Sequence, residues 1–265
     1  MKRRTFLKLS TLAALAAQGN LPLLAAKKYS WGGDNRFTDP AAIEPITGFL
    51  PNCSPPTGGD MKSDFSAKYK MLRQDGQADG VSRNEEMGSL EMTFAGNTCN
   101  STEIRVKSDS DYNTVHIDLE FQGQYNSAKS WTLESTFFGH PEARLVERGN
   151  WDGNAMSVQT KSWTNSYPTG KLLIARYALW PLLASGVLKN TPLMFDMLED
   201  CSLRRAQTLK YAGEIEIPVA GGTAVLDSYA HTGYASVPTH YLVDEAGRVQ
   251  LITMQTVNWA LTELT

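Results

Sequence analysis

Between residues 65 and 260 the chain is dominated by short runs in which apolar and polar residues alternate. The clearest is Thr114 to Phe121. There Val115, Ile117, Leu119 and Phe121 fall on one side, and His116, Asp118 and Glu120 on the other. A strand turns its side chains to opposite faces at each residue, so this spacing predicts a sheet with one buried and one wet face. Leu90 to Phe94, Glu103 to Lys107, Trp131 to Phe137, Met156 to Lys161 and Glu214 to Val219 repeat the pattern. Asn150 to Asn154 supplies a turn, and Asp244 to Arg248 joins Tyr241–Val243 to Val249–Ile252, with Gly247 suited to a left-handed closing position. About ten strands at this spacing predict an antiparallel meander rather than alternating βα units.

Lys171 to Leu188 breaks the alternation. It is nearly all apolar, rich in helix formers and interrupted by Pro181. A helix apolar on most sides must be buried, and Lys171, Arg176 and Pro181 argue against a membrane span. A second short helix is expected over Pro192 to Asp200. The fold class that follows is mainly β: a curved antiparallel sheet or open barrel wrapped around one apolar helix.

The N-terminal residues have another character. Lys2-Arg3-Arg4-Thr5-Phe6-Leu7-Lys8 resembles the twin-arginine export signal, with Lys2 where Ser or Thr is usual. Leu9 to Ala17 is apolar but shorter than the ~20 residues a span needs, and Leu24-Ala25-Ala26 offers a cleavage site. The resemblance implies a signal peptide over residues 1–26, the twin-arginine translocase as a partner during export, and a periplasmic or secreted location. Residues 27–62, rich in Gly, Pro, Asn and Asp, are expected as an irregular arm, and residues 63–265 as the β-rich domain. The remaining apolar segments predict no stable membrane anchor.

Charge and cysteines narrow the classes further. The formal net charge of −3 becomes −7 without the four cations of residues 2–8, which disfavours nucleic acid and anionic membranes. Cys53, Cys99 and Cys201 are too widely spaced for a zinc knuckle or iron–sulfur cluster. Cys53 and Cys99 lie in loop-like sequence and are the pair expected to form a disulfide. No phosphate-cradling, zincin, nucleophile-elbow, dinucleotide or haem-attachment motif is present, and the sequence names no cofactor.

Two constellations carry candidate chemistry. His116 and Asp118, with Glu120, would stand about 6–7 Å apart along one strand face, a spacing that can share a proton or a divalent ion. His231 and His240 flank a turn near Gly233-Tyr234, where one hairpin could join them. The plain alternatives are a solvated sheet face and ordinary core histidines. Phe121, Trp131, Phe137, Tyr177, Trp180 and Phe195 would line an apolar pocket between sheet and helix, or simply fill a core.

The order of these segments also resembles exported bacterial β-rich proteins of unknown function. It rests on Leu179-Trp180-Pro181-Leu182-Leu183, Met194 to Leu198, Gly213 to Pro218 and Tyr241 to Val249. The layout is similar to the half-barrel of the periplasmic lipoprotein carriers as well, which implies an apolar ligand held between sheet and helix. The expectation is an exported protein that binds a hydrophobic or amphipathic small molecule. The alternatives are an enzyme using a similar cavity with His/Asp acid–base or metal chemistry, and an accessory partner of an exported redox complex.

Overall fold

The computed structural model describes residues 56–265 except 77–81, 109–110, 138–139, 201, 220–221 and 255–256. The export signal, Cys53, Cys201 and all but the end of the expected N-terminal arm lie outside the described residues. Among the described residues fifteen strands form one sheet. They are β1 (Phe65–Gly76), β2 (Ser82–Ala95), β3 (Thr98–Ser108), β4 (Asp111–Gln122), β5 (Ser127–Phe137), β6 (His140–Trp151), β7 (Ala155–Gln159) and β8 (Thr164–Pro168). After them come β9 (Leu173–Ala175), β10 (Leu193–Glu199), β11 (Ser202–Val219), β12 (Gly222–Gly233), β13 (Thr239–Val243), β14 (Val249–Met254) and β15 (Val257–Leu264).

Twelve strands close on themselves. Strands β1 to β5 run as hairpins, β9 to β15 continue the ring, and β15 returns to β1 through Ala67↔Leu264 to Arg73↔Val257. Ser127↔Ile174 joins β5 to β9. The sheet is therefore a closed barrel, where the sequence predicted a curved sheet or an open barrel. Closure removes the two edges that an open sheet would expose. Strands β6, β7 and β8 leave the ring from β5 as a side ribbon, ending in the exposed β8.

The expected meander is present, and Val115, Ile117, Leu119 and Phe121 are buried as their alternation requires. The pairing is antiparallel except between β9 and β10. Pro192 to Asp200 is not a helix. Leu193–Glu199 pairs with β9 on one side and β11 on the other. Its residues are buried on both faces save Met194 and Glu199, so the run lacks the period that separates strand from helix.

The apolar segment lies inside the barrel, but only part of it is α-helix. Leu173–Ala175 is strand, Arg176–Ala178 a 3₁₀ turn, Leu179–Ala184 the helix α1, and Val187–Lys189 a second 3₁₀ turn. Leu179, Trp180 and Ala178 are wholly buried, and Tyr177 nearly so. Each large apolar side chain removed from water contributes about 1.5–3 kcal/mol, so the segment is a principal part of the core. Trp180 Nε1 donates to Tyr69 Oη at 2.9 Å, and Tyr69 Oη donates to the Val249 carbonyl at 2.8 Å. This chain ties the plug to both β1 and β14.

A second apolar cluster of Leu72, Ile215, Ile217, Leu226, Leu242, Leu251 and Ala260 is buried on the opposite face of the wall. Strands β13 and β14 are consequently buried on both sides, apart from Met254 at the end of β14.

Candidate functional site

The plug runs along the barrel and reaches both ends. At one end the N-terminal halves of β12 and β14, the C-terminal ends of β11 and β13, and the end of α1 surround a cavity of about 730 Å³. Its floor is apolar: Leu183, Ala184, Tyr229, Val243 and Leu261. Its rim is polar. Lys189 Nζ lies 2.6 Å from Asp227 Oδ2, and Arg248 Nε lies 2.6 Å from Asp244 Oδ2.

Local sequence builds this rim. The β13–β14 turn closes through Asp244 N–H to the Arg248 carbonyl and Gly247 N–H to the Asp244 carbonyl, both 3.0 Å. Gly247 has φ +90°, as the sequence predicts, and a Cβ there would stand 2.8 Å from the Ala184 carbonyl oxygen. The turn is thus pressed against the end of the plug. Gln250 Nε2 donates to Asp244 Oδ2 at 2.7 Å, while Gln250 Oε1, on a side chain only 8 % exposed, has no hydrogen-bond partner.

At the other end a smaller cavity of about 130 Å³ is bordered by Arg176, Glu199, Arg204, His231, Ser236, Thr239 and Tyr241. Glu103, on the inner wall, accepts from Tyr177 Oη at 2.9 Å and from Arg105 Nε. Arg105 Nη2 also donates to Asp200 Oδ2 at 3.0 Å. Gln207 Nε2 donates to the Arg205 and Tyr234 carbonyls, which turns Oε1 toward His231 Nε2 at 3.0 Å. His231 therefore donates through Nε2. Burial, helped by the Arg176 charge, lowers its pKa to about 4 and holds the ring neutral.

The sequence candidates are dispersed. His231 faces inward, stacked on Phe195 with centroids 5.8 Å apart. His240 pairs with Ala230 and His231 with Thr239, so the two histidines sit in adjacent strands on opposite faces, and they do not form a pair. The ring of His240 lies 3.5 Å from Ser228 Oγ. His116 lies on the outer face, its Nδ1 3.0 Å from Thr102 Oγ1 and its Nε2 3.5 Å from Asp118 Oδ2. Asp118 accepts from Asn100 at 2.6 Å, and Glu120 binds Lys129 at 2.5 Å. These are partners of a solvated sheet face. Among the described residues no three His, Cys, Asp or Glu side chains gather as a metal site.

Five of the six aromatic candidates do not line the large cavity. Tyr177, Trp180, Phe121 and Phe195 pack in the core, Trp180 edge-on to Tyr69 and Tyr241. Trp131 lies over Gly149 and borders a shallower recess of about 630 Å³ with Asp118, Glu120 and Arg148. Phe137 belongs to β5, but its side chain lies outside the described residues. Cys99 is a buried free thiol whose pKa burial pushes up, and its expected partner Cys53 lies outside the described residues.

Residues that do build the cavities, such as Gln250, Asp227, Lys189 and Tyr241, have ordinary sequence surroundings. The sequence marked these regions only through His231, the apolar segment with Arg176, and the Tyr241–Ile252 hairpin pattern.

No protein-family model matches the chain, and no curated protein matches it. Among solved structures, a β-barrel-like protein of domain of unknown function DUF1849 from Brucella abortus is similar in fold, with a TM-score of 0.52 at 11 % identity. The match covers 76 % of this chain and 97 % of that one. The chain thus shares a β-barrel-like fold with a protein of unknown function.

Proposed function

We propose that this protein binds a hydrophobic or amphipathic small molecule in the cavity of about 730 Å³, and that it does so outside the cytoplasm after twin-arginine export. One observation carries the reading: an apolar floor lies under a rim of paired charges, Lys189 with Asp227 and Arg248 with Asp244. Such a site desolvates an apolar body and orients a polar head, the usual division of labour in small-molecule pockets. Shape and desolvation do the work, with no bond made or broken.

Protein purified from the periplasm, examined by native mass spectrometry, is expected to carry a lipid-like mass. An apolar fluorescent probe is expected to bind the delipidated protein saturably. Val225 borders the cavity and is half exposed, so Val225→Trp fills the opening without removing a hydrogen bond. Probe affinity is expected to fall by about tenfold or more from the lost apolar contact. Equal probe binding by the parent and Val225→Trp, with no co-purifying mass, would overturn the proposal.

A further inference from the structure

The small cavity at the opposite end has its own chemistry. Arg176, Arg204 and Glu199 border it, and Glu103, Arg105 and Asp200 form an ion-pair network beside Arg176. Arg105 is engaged by Glu103 and Asp200, and Arg204 Nε holds Glu199 Oε2 at 2.9 Å. Arg176 is different. Its side chain is only 6 % exposed, its nearest carboxylate oxygen is Glu103 Oε2 at 3.9 Å, and it makes no side-chain hydrogen bond to any described residue. Glu103, which also accepts from Arg105 and Tyr177, balances the Arg176 charge from that distance without a hydrogen bond to it.

The guanidinium is held flat by packing. Its carbon lies 4.2 Å from the Trp259 ring and 5.8 Å from the Tyr177 ring. That leaves its in-plane N–H groups for a ligand, the geometry that suits a planar or tetrahedral oxyanion. Tyr241, 2 % exposed, borders the same cavity, and its hydroxyl makes no hydrogen bond to a described residue. Burial keeps that phenol protonated and therefore a donor. Ser236 Oγ, also at the cavity, has no partner. Arg176 and Tyr241 thus bring donors with no hydrogen-bond partner among the described residues to one recess. A volume of about 130 Å³ holds about four waters, or one anion of the size of acetate or phosphate.

We propose that this end of the barrel is a second binding site, one for a small oxyanion of carboxylate or phosphate type, held by the Arg176 guanidinium and the Tyr241 hydroxyl. It does not depend on the apolar site at the other end, since the two share no lining residue.

The test is thermal unfolding and calorimetric titration of the full protein with sodium acetate, phosphate and sulfate against chloride at matched ionic strength. At least one oxyanion is expected to raise the melting temperature saturably beyond chloride, and the ranking of the three identifies the preferred head group. Arg176→Met is expected to abolish the gain. Tyr241→Phe removes only an unpartnered hydroxyl, so it folds, and is expected to weaken binding about tenfold. The Trp259 indole resonance is expected to shift with the same midpoint. Three results would each sink the proposal: no oxyanion acting beyond chloride, Arg176→Met responding as the parent does, or Tyr241→Phe binding unchanged. If Arg176→Met does not fold, Tyr241→Phe and the Trp259 resonance decide the matter.

Discussion

Tyr69→Phe is the sharpest probe of how the plug is bolted to the barrel. The ring is 1 % exposed and its hydroxyl both accepts from Trp180 and donates to the Val249 carbonyl. Removing one oxygen leaves two buried polar groups unsatisfied while the ring packing stays. At about 1–3 kcal/mol for each of the two orphaned groups, the expected loss is about 2–6 kcal/mol. For a domain of this size that lowers the melting temperature by about 5–25 °C. Trp180→Phe removes the other end of the bond and roughly 40 Å³ of side chain, for an expected loss of about 2–3 kcal/mol. The two changes share a partner, so the double variant is expected to lose about 1–2 kcal/mol less than the singles together. Urea unfolding followed by fluorescence and circular dichroism, with coincident transitions, gives the three values. A Tyr69→Phe protein within about 0.5 kcal/mol of the parent, or singles that simply add, would refute the bolt.

Two further predictions test the wall and the buried charges. A Cβ at Gly149 would meet Trp131 ring atoms at 2.0 and 2.1 Å, so Gly149→Ala is expected to destabilise by about 1–3 kcal/mol in thermal unfolding; an unchanged melting temperature counts against that packing. His231 has a folded pKa of about 4, below its ordinary 6.5. Its neutral form is thus favoured by folding, and its contribution is full above pH ~6.5 and lost as pH falls toward ~4, up to roughly 3 kcal/mol. His231→Gln is expected to flatten that limb of the stability profile, and a limb unchanged by the substitution would assign it elsewhere.

What the sequence conveyed was local. The alternation from Val115 to Phe121 located a strand and its buried face because a period of two leaves no other reading. The greasy stretch around Trp180 announced burial, but strand, 3₁₀ turn and α-helix are equally apolar when enclosed, so its subdivision was hidden. Leu193 to Glu199 failed for the same reason, sharpened by the irregular register between Phe195 and Met197. His231 and His240 were rightly placed in neighbouring strands, yet register parity decides whether paired positions share a face. Both cavities escaped notice because their walls gather residues as distant as Pro56 and Leu261, or Arg176 and Met254.

The seam between Phe65–Gly76 and Val257–Leu264 has a consequence for how the molecule is made. Its two halves are almost the first and last residues of the domain, so a ribosome delivers one long before the other. Until the final strand emerges, the growing chain holds an unzipped edge and an uncovered lining. Such long-range joining is slow, and the half-built form is open to pairing with other chains. The cylinder therefore closes only at its final strand, and whatever shields the nascent protein must stay engaged until Val257–Leu264 has emerged.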